Sequence, residues 1–128
     1  MESATLLYIE DNAANRLLVR RVLEAEGHTV LEAADGPSGL DMVRDAPPDL
    51  ILLDINLPEM DGYEFVSRLR EIQGLEKTPV IALTANVMKG DRERTLAAGC
   101  DGYIQKPIDV DELPEQVASF LSRCPEAK

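Results

Sequence analysis

Basic residues are scarce in this chain of 128, where 13 Lys and Arg stand against 24 Asp and Glu for a formal net charge of −11. Phosphate backbones repel such a surface, which argues against a nucleic-acid partner. A solvated acidic surface is the commoner meaning of that charge, and a basic partner the rarer one. Cysteine is nearly absent. Cys100 and Cys124 lie too far apart for a metal or redox motif, so a reduced, cytoplasmic protein is the natural expectation. Long apolar runs are missing too: those present hold about four residues, against the ~20 that cross a bilayer. Met1-Glu2-Ser3-Ala4 offers no positive n-region and hence no secretory signal. No membrane role is indicated, and with no tryptophan there is no indole to stack on a flavin ring.

What remains is an ordinary globular composition, 45% apolar and 29% charged, at the usual length of one domain. No repeat, linker or low-complexity stretch interrupts it, so residues 1–128 read as a single domain. Five short apolar runs alternate with longer amphipathic stretches. The runs are Leu6-Leu7-Tyr8-Ile9, Thr29-Val30-Leu31, Leu50-Ile51-Leu52-Leu53, Val80-Ile81-Ala82-Leu83 and Tyr103-Ile104. The third and fourth are apolar throughout, as central strands covered on both faces are. The stretches between have helical spacing, for example Leu113, Val117, Phe120 and Leu121 in the last, and Gly27, Gly74 and Gly99 follow three of them as helix stops. Five such units predict an α/β fold, doubly wound, with a parallel sheet and helices on both faces.

Ligands of such sheets bind at the carboxyl ends of the strands. The residues just past each run are therefore the ones that matter: Glu10 and Asp11 after the first, Asp54 with Asn56 after the third, Thr84 with Asn86 after the fourth, and Lys106-Pro107 after the fifth. Gathered carboxylates repel one another unless a cation intervenes. Lys106 is one candidate cation. A metal is the other, and an all-oxygen site suits Mg²⁺, with Mn²⁺ as a substitute. With the charge offset, an ionised aspartate can act as nucleophile toward a phosphoryl group, while Thr84 donates to one oxygen and Lys106 pairs with another.

Glu10-Asp11-Asn12, the stretch Leu52-Leu53-Asp54-Ile55-Asn56-Leu57-Pro58-Glu59-Met60-Asp61-Gly62, Leu83-Thr84-Ala85 and Lys106-Pro107 resemble the signature segments of bacterial two-component response-regulator receiver domains. The resemblance runs from about Thr5 to Leu121, with the four motifs in the family's order. It implies a flavodoxin-like sheet of order 2-1-3-4-5 with five helices. It also implies phosphoryl acceptance on Asp54 from a histidine kinase or histidine phosphotransfer domain. Asp11, Asp54 and the backbone carbonyl of Asn56 would hold Mg²⁺, and Glu10 would act mostly through a metal-bound water. Thr84 and Lys106 would hold the phosphoryl group. Tyr103 would turn inward as Thr84 moves, and the face made of the fourth helix, fifth strand and fifth helix would repack for a downstream partner. Many members carry Asp where this chain has Glu10, and a cis bond is frequent at the position of Lys106-Pro107. Glu10-Asp11-Asn12-x-x-Asn15 and Val87-Met88-Lys89-Gly90-Asp91 are similar to phosphorelay and hybrid-kinase receivers and to single-domain cell-cycle regulators. The last amphipathic stretch ends close to the end of the chain, so output is expected through partner binding or onward phosphoryl transfer.

Plainer readings accompany each residue. Asp54 alone would cap a turn, Lys106 alone would be a surface lysine, Thr84 a β-former, and Tyr103 a packing residue. His28, after Gly27 in a turn, is expected to be solvated. Asp61-Gly62 reads as a turn and helix start. Leu17-Leu18-Val19 is wider than one buried stripe needs, so one of the three is expected to face out, with Asn15, Leu18 and Ile108 as candidates for docking a partner's helix. Asn56 and Asn86, two positions past Asp54 and Thr84, are expected to set the lifetime of the acyl phosphate. The main alternative function is a non-phosphorylated pseudo-receiver that only binds partners, although such domains usually lose one of the acids or the lysine. A haloacid-dehalogenase-type phosphatase would place its nucleophile after the first strand. A flavodoxin-like electron carrier would not put Glu10-Asp11 in its phosphate loop.

Overall fold

The structure is a computed structural model, and it describes residues 4–55, 60, 62–75, 78–84, 97, 99–105 and 108–123. The element order is β1 (Thr5–Ile9), α1 (Ala13–Glu24), β2 (Thr29–Ala33), α2 (Gly36–Asp45), β3 (Leu50–Asp54), α3 (Gly62–Arg70), β4 (Val80–Thr84), β5 (Gly102–Gln105) and α4 (Leu113–Arg123). All neighbouring strands pair in parallel, in the order β2-β1-β3-β4-β5. Both the fold class and the strand order are those expected from the sequence. Four helices are found among the described residues where five were expected. The stretch 85–96, between β4 and β5, lies outside them.

Every residue of β3 and β4 is buried, as their unbroken apolar runs require. Alternate side chains of a strand point to opposite faces, and the core divides accordingly. Leu7, Ile9, Ile51, Leu53, Val80 and Ala82 pack with Val43, Phe65, Val66 and Leu69 of α2 and α3. Leu6, Tyr8, Leu50, Leu52, Ile81 and Leu83 pack with Val19, Leu23, Leu113 and Val117 of α1 and α4. Asn12 caps α1 by accepting from the Asn15 N–H at 3.0 Å, and Asp35 caps α2 by accepting from the Ser38 N–H at 2.8 Å. Gly27, Gly74 and Gly99 all have positive φ. At Gly27 this closes a Schellman stop, in which the Gly27 N–H donates to Glu24 O and the His28 N–H to Leu23 O.

Two expectations are corrected. His28 is buried rather than solvated, and its Nδ1 accepts from the Ala4 N–H at 3.1 Å. Leu17 and Leu18 are both exposed, at 43% and 46%, so two of the three apolar residues face out and only Val19 enters the core. No helix among the described residues is long and apolar enough to cross a membrane.

Candidate functional site

Parallel pairing brings all the strand ends to one edge of the sheet, and the register fixes who meets whom. Ile9 stands opposite Leu53, so the next residues, Glu10 and Asp54, leave their strands side by side. Asp54 pairs with Leu83, and Thr84 with Gln105. The acid pair of β1 and the Thr84 end of β4 therefore flank Asp54 on its two sides.

Glu10, Asp11 and Asp54 each offer a carboxylate oxygen, and these oxygens lie within 4.8 Å of one another. Glu10 and Asp54 are buried, at 2% and 3% exposure, whereas Asp11 is exposed. Like charges this close cost one another energy that a cation removes. The donors are all hard oxygens, one of them facing solvent, which fits Mg²⁺ or Mn²⁺ with part of its water shell kept.

The residues around the acids are held tightly. The Tyr8 hydroxyl donates to Glu10 Oε1 at 3.1 Å, and the Asn12 N–H donates to Glu10 Oε2 at 3.3 Å. Arg16 Nη1 donates to the Glu10 carbonyl at 2.6 Å. The Arg16 guanidinium also pairs with Glu32 at 3.3 Å, and Arg20 reaches the same carboxylate at 2.7 Å. The Glu10–Asp11 turn is thus pinned from α1 and β2 together. Burial first, and then the charge of Glu10, push the Tyr8 phenol far above its ordinary range, with Asp54 adding to the rise. Tyr8 is therefore a neutral hydrogen-bond donor.

Thr84 is buried at the end of β4. Tyr103 is half-buried and packs on the core half beneath α2 and α3. It pairs with Ala82, two residues before Thr84, so Tyr103 and Thr84 share one face of the sheet. Of the docking candidates, Asn15 is half-buried on α1, Leu18 is exposed on the same helix, and Ile108 packs on the core half that α1 covers. Asn56, Asn86 and the Lys106-Pro107 pair lie outside the described residues.

Tyr8 and Arg16 escaped the reading of the sequence. Tyr8 sits inside an apolar run and passes for core. The available signal is its spacing, since two residues before Glu10 on a strand means the same face. Arg16 looks like any helix-surface arginine, and nothing local marks its reach to a carbonyl six residues back.

The model for the response regulator receiver domain matches residues 6–118 of this chain. The polar-differentiation response regulator DivK of Brucella ovis is 43% identical over 117 residues, which covers 91% of this chain and 95% of that protein. Among solved structures, the chemotaxis response regulator CheY4 of Vibrio cholerae is similar with a TM-score of 0.88 and 29% identity, over 93% of this chain and 99% of that one. The receiver domain of the sensor histidine kinase PA1611 from Pseudomonas aeruginosa, solved with a magnesium ion coordinated in its active-site cleft, gives a TM-score of 0.85 and 33% identity over 94% and 99%. The family model and the DivK match each span most of the chain, and the chain belongs to the response regulator receiver domain family.

Proposed function

We propose that the chain is a single receiver domain that accepts a phosphoryl group on Asp54 in a Mg²⁺-dependent reaction and thereby switches partner binding. The observation that carries this reading is the meeting of three carboxylate oxygens from two parallel strands within 4.8 Å, at the sheet edge where ligands bind. Glu10, Asp11, Asp54 and the carbonyl of Asn56 would hold the metal. When bound, it would offset the acidic charge so that a phosphoryl group can be received there.

Within that site an Asp54 carboxylate oxygen attacks phosphorus, and the bond from phosphorus to the donor breaks. The leaving group departs with that electron pair, and the attacking oxygen becomes the bridging oxygen of an acyl phosphate. The burial of Asp54 limits solvation of its charge, so positioning and electrostatics supply most of the rate. The Thr84 hydroxyl would donate to one phosphoryl oxygen and Lys106 would pair with another, while Asn56 and Asn86 set how soon water attacks the product. As Thr84 moves toward the phosphoryl group, Tyr103 on the same sheet face follows it inward, which is a shift between two populations of the β4–β5 region. The donor would be a histidine kinase or histidine phosphotransfer domain, met in the cytoplasm at a surface that includes Asn15, Leu18 and Ile108.

The test is intact mass after incubation with a small phosphodonor, with Mg²⁺, with chelator, and in Asp54→Ala. The expected result is a gain of one phosphoryl group that needs both Mg²⁺ and Asp54. A gain in Asp54→Ala equal to the parent's would move the acceptor elsewhere. A parent that binds no Mg²⁺ and gains nothing would leave a pseudo-receiver as the reading.

A further inference from the structure

Glu10 presents a difficulty that the geometry answers. A glutamate carries one more rotatable bond than an aspartate, so fixing its carboxylate costs more side-chain entropy. Its carboxylate must nevertheless be held beside Asp11 and Asp54 for a metal to find the three together. Tyr8 lies on the same strand face two residues earlier, is fully buried, and aims its hydroxyl at Glu10 Oε1 at 3.1 Å. The second oxygen, Oε2, is met by the Asn12 N–H, and the carbonyl by Arg16. Both carboxylate oxygens are therefore approached by donors from fixed directions, which sets the plane of the group. A buried hydroxyl without an acceptor is unfavourable, so the bond is also one the core holds in place.

We infer that Tyr8 is a positioning residue for the metal site, whose hydroxyl orients the Glu10 carboxylate and so lets a glutamate serve at that corner of the acid cluster. This rests on the Mg²⁺ site proposed above. Tyr8 touches neither metal nor phosphoryl group; it acts through Glu10. Hydrogen-bond partners of metal-binding carboxylates typically contribute about 10–100-fold in metal affinity.

The experiment is a double-mutant cycle on Mg²⁺ affinity, read by calorimetric titration of the full chain: the parent, Tyr8→Phe, Glu10→Asp, and the pair. Tyr8→Phe keeps the buried ring and removes one hydroxyl. It is expected to weaken Mg²⁺ binding by about tenfold. In the Glu10→Asp background, where the carboxylate is one methylene shorter and falls short of the phenol, the same change is expected to cost less than about twofold. Equal affinity of Tyr8→Phe and parent would overturn the inference. So would an equal loss in both backgrounds, since that would mean Tyr8 acts on the site through the core and not through Glu10. A parent without Mg²⁺ affinity would sink the metal site itself, and the inference with it, a result distinct from the other two.

Discussion

Cys100, at the turn before β5, is held neutral by its surroundings. Burial pushes its thiol from an ordinary 9.0 up to about 11, with Arg70 opposing the rise and Asp101 adding to it. A folded value above the unfolded one favours the protonated thiol in the native state. The stability it brings is complete below about pH 9 and is lost as pH climbs toward about 11. Denaturation midpoints are therefore expected to hold steady up to about pH 9 and to fall between there and about pH 11, less steeply in Cys100→Ala. Tyr8 contributes with the same sign, so the variant is needed to separate the two. Identical slopes for parent and variant would assign the whole loss to other groups. At this scale the sequence was legible where a residue's position follows from its place at the end of a strand. Asp54, Glu10, Asp11 and Thr84 all appear where that rule puts them. It was illegible where the setting depends on a distant backbone atom, as for His28, whose buried ring accepts from the N–H of Ala4.

At the scale of elements, hydropathy and glycine carried most of the information. The unbroken runs of β3 and β4 gave strands buried along their length, and the three glycines read as helix stops all have positive φ, Gly27 closing α1. β2 was read too short because Glu32 sits in it. That charge is tolerated on an edge strand because Arg16 and Arg20 of α1 pair with it. The start of α3 held a feature that composition could not show. A Cβ on Gly62 would lie 2.6 Å from Ile55 Cδ1 and 2.9 Å from Ile55 Cα, and the Gly62 N–H donates to Ile55 O at 2.9 Å. The side chain of Ile55 can rotate away, but its backbone cannot move without disturbing Asp54 beside it. Gly62→Ala is thus expected to cost about 1–3 kcal/mol by overpacking, measured in urea. A loss under ~0.5 kcal/mol would mean the loop yields freely.

Over the whole molecule, the two ends of the sheet are built for different tasks. At the amino ends of the strands the polar contacts are structural. Asp49 Oδ2 accepts from the Thr5 N–H at 2.8 Å, and Asp101 Oδ2 accepts from the Val80 N–H at 2.8 Å. Arg70 donates to Thr78 O and Gly99 O at 2.6 and 2.7 Å. At the carboxyl ends stand the acids Glu10, Asp11 and Asp54, whose carboxylate oxygens lie within 4.8 Å of one another. α1 joins this acidic end to the exposed surface, since it begins next to Glu10 and Asp11 and carries Leu17 and Leu18 outward. Two neighbouring exposed leucines beside an acid cluster are where a phosphohistidine-bearing helix would both find apolar contact and reach Asp54. Leu18→Ala is therefore expected to slow phosphoryl transfer from a histidine phosphotransfer protein, at subsaturating concentration, by about fivefold or more. Phosphorylation by a small donor, which needs no docking, should stay at the parent's rate. Because truncating an exposed leucine changes stability by no more than about 0.5 kcal/mol, a selective loss would read as lost docking. Equal slowing with both donors would instead place the effect in the site, and parent-like rates with both would remove Leu18 from the interface.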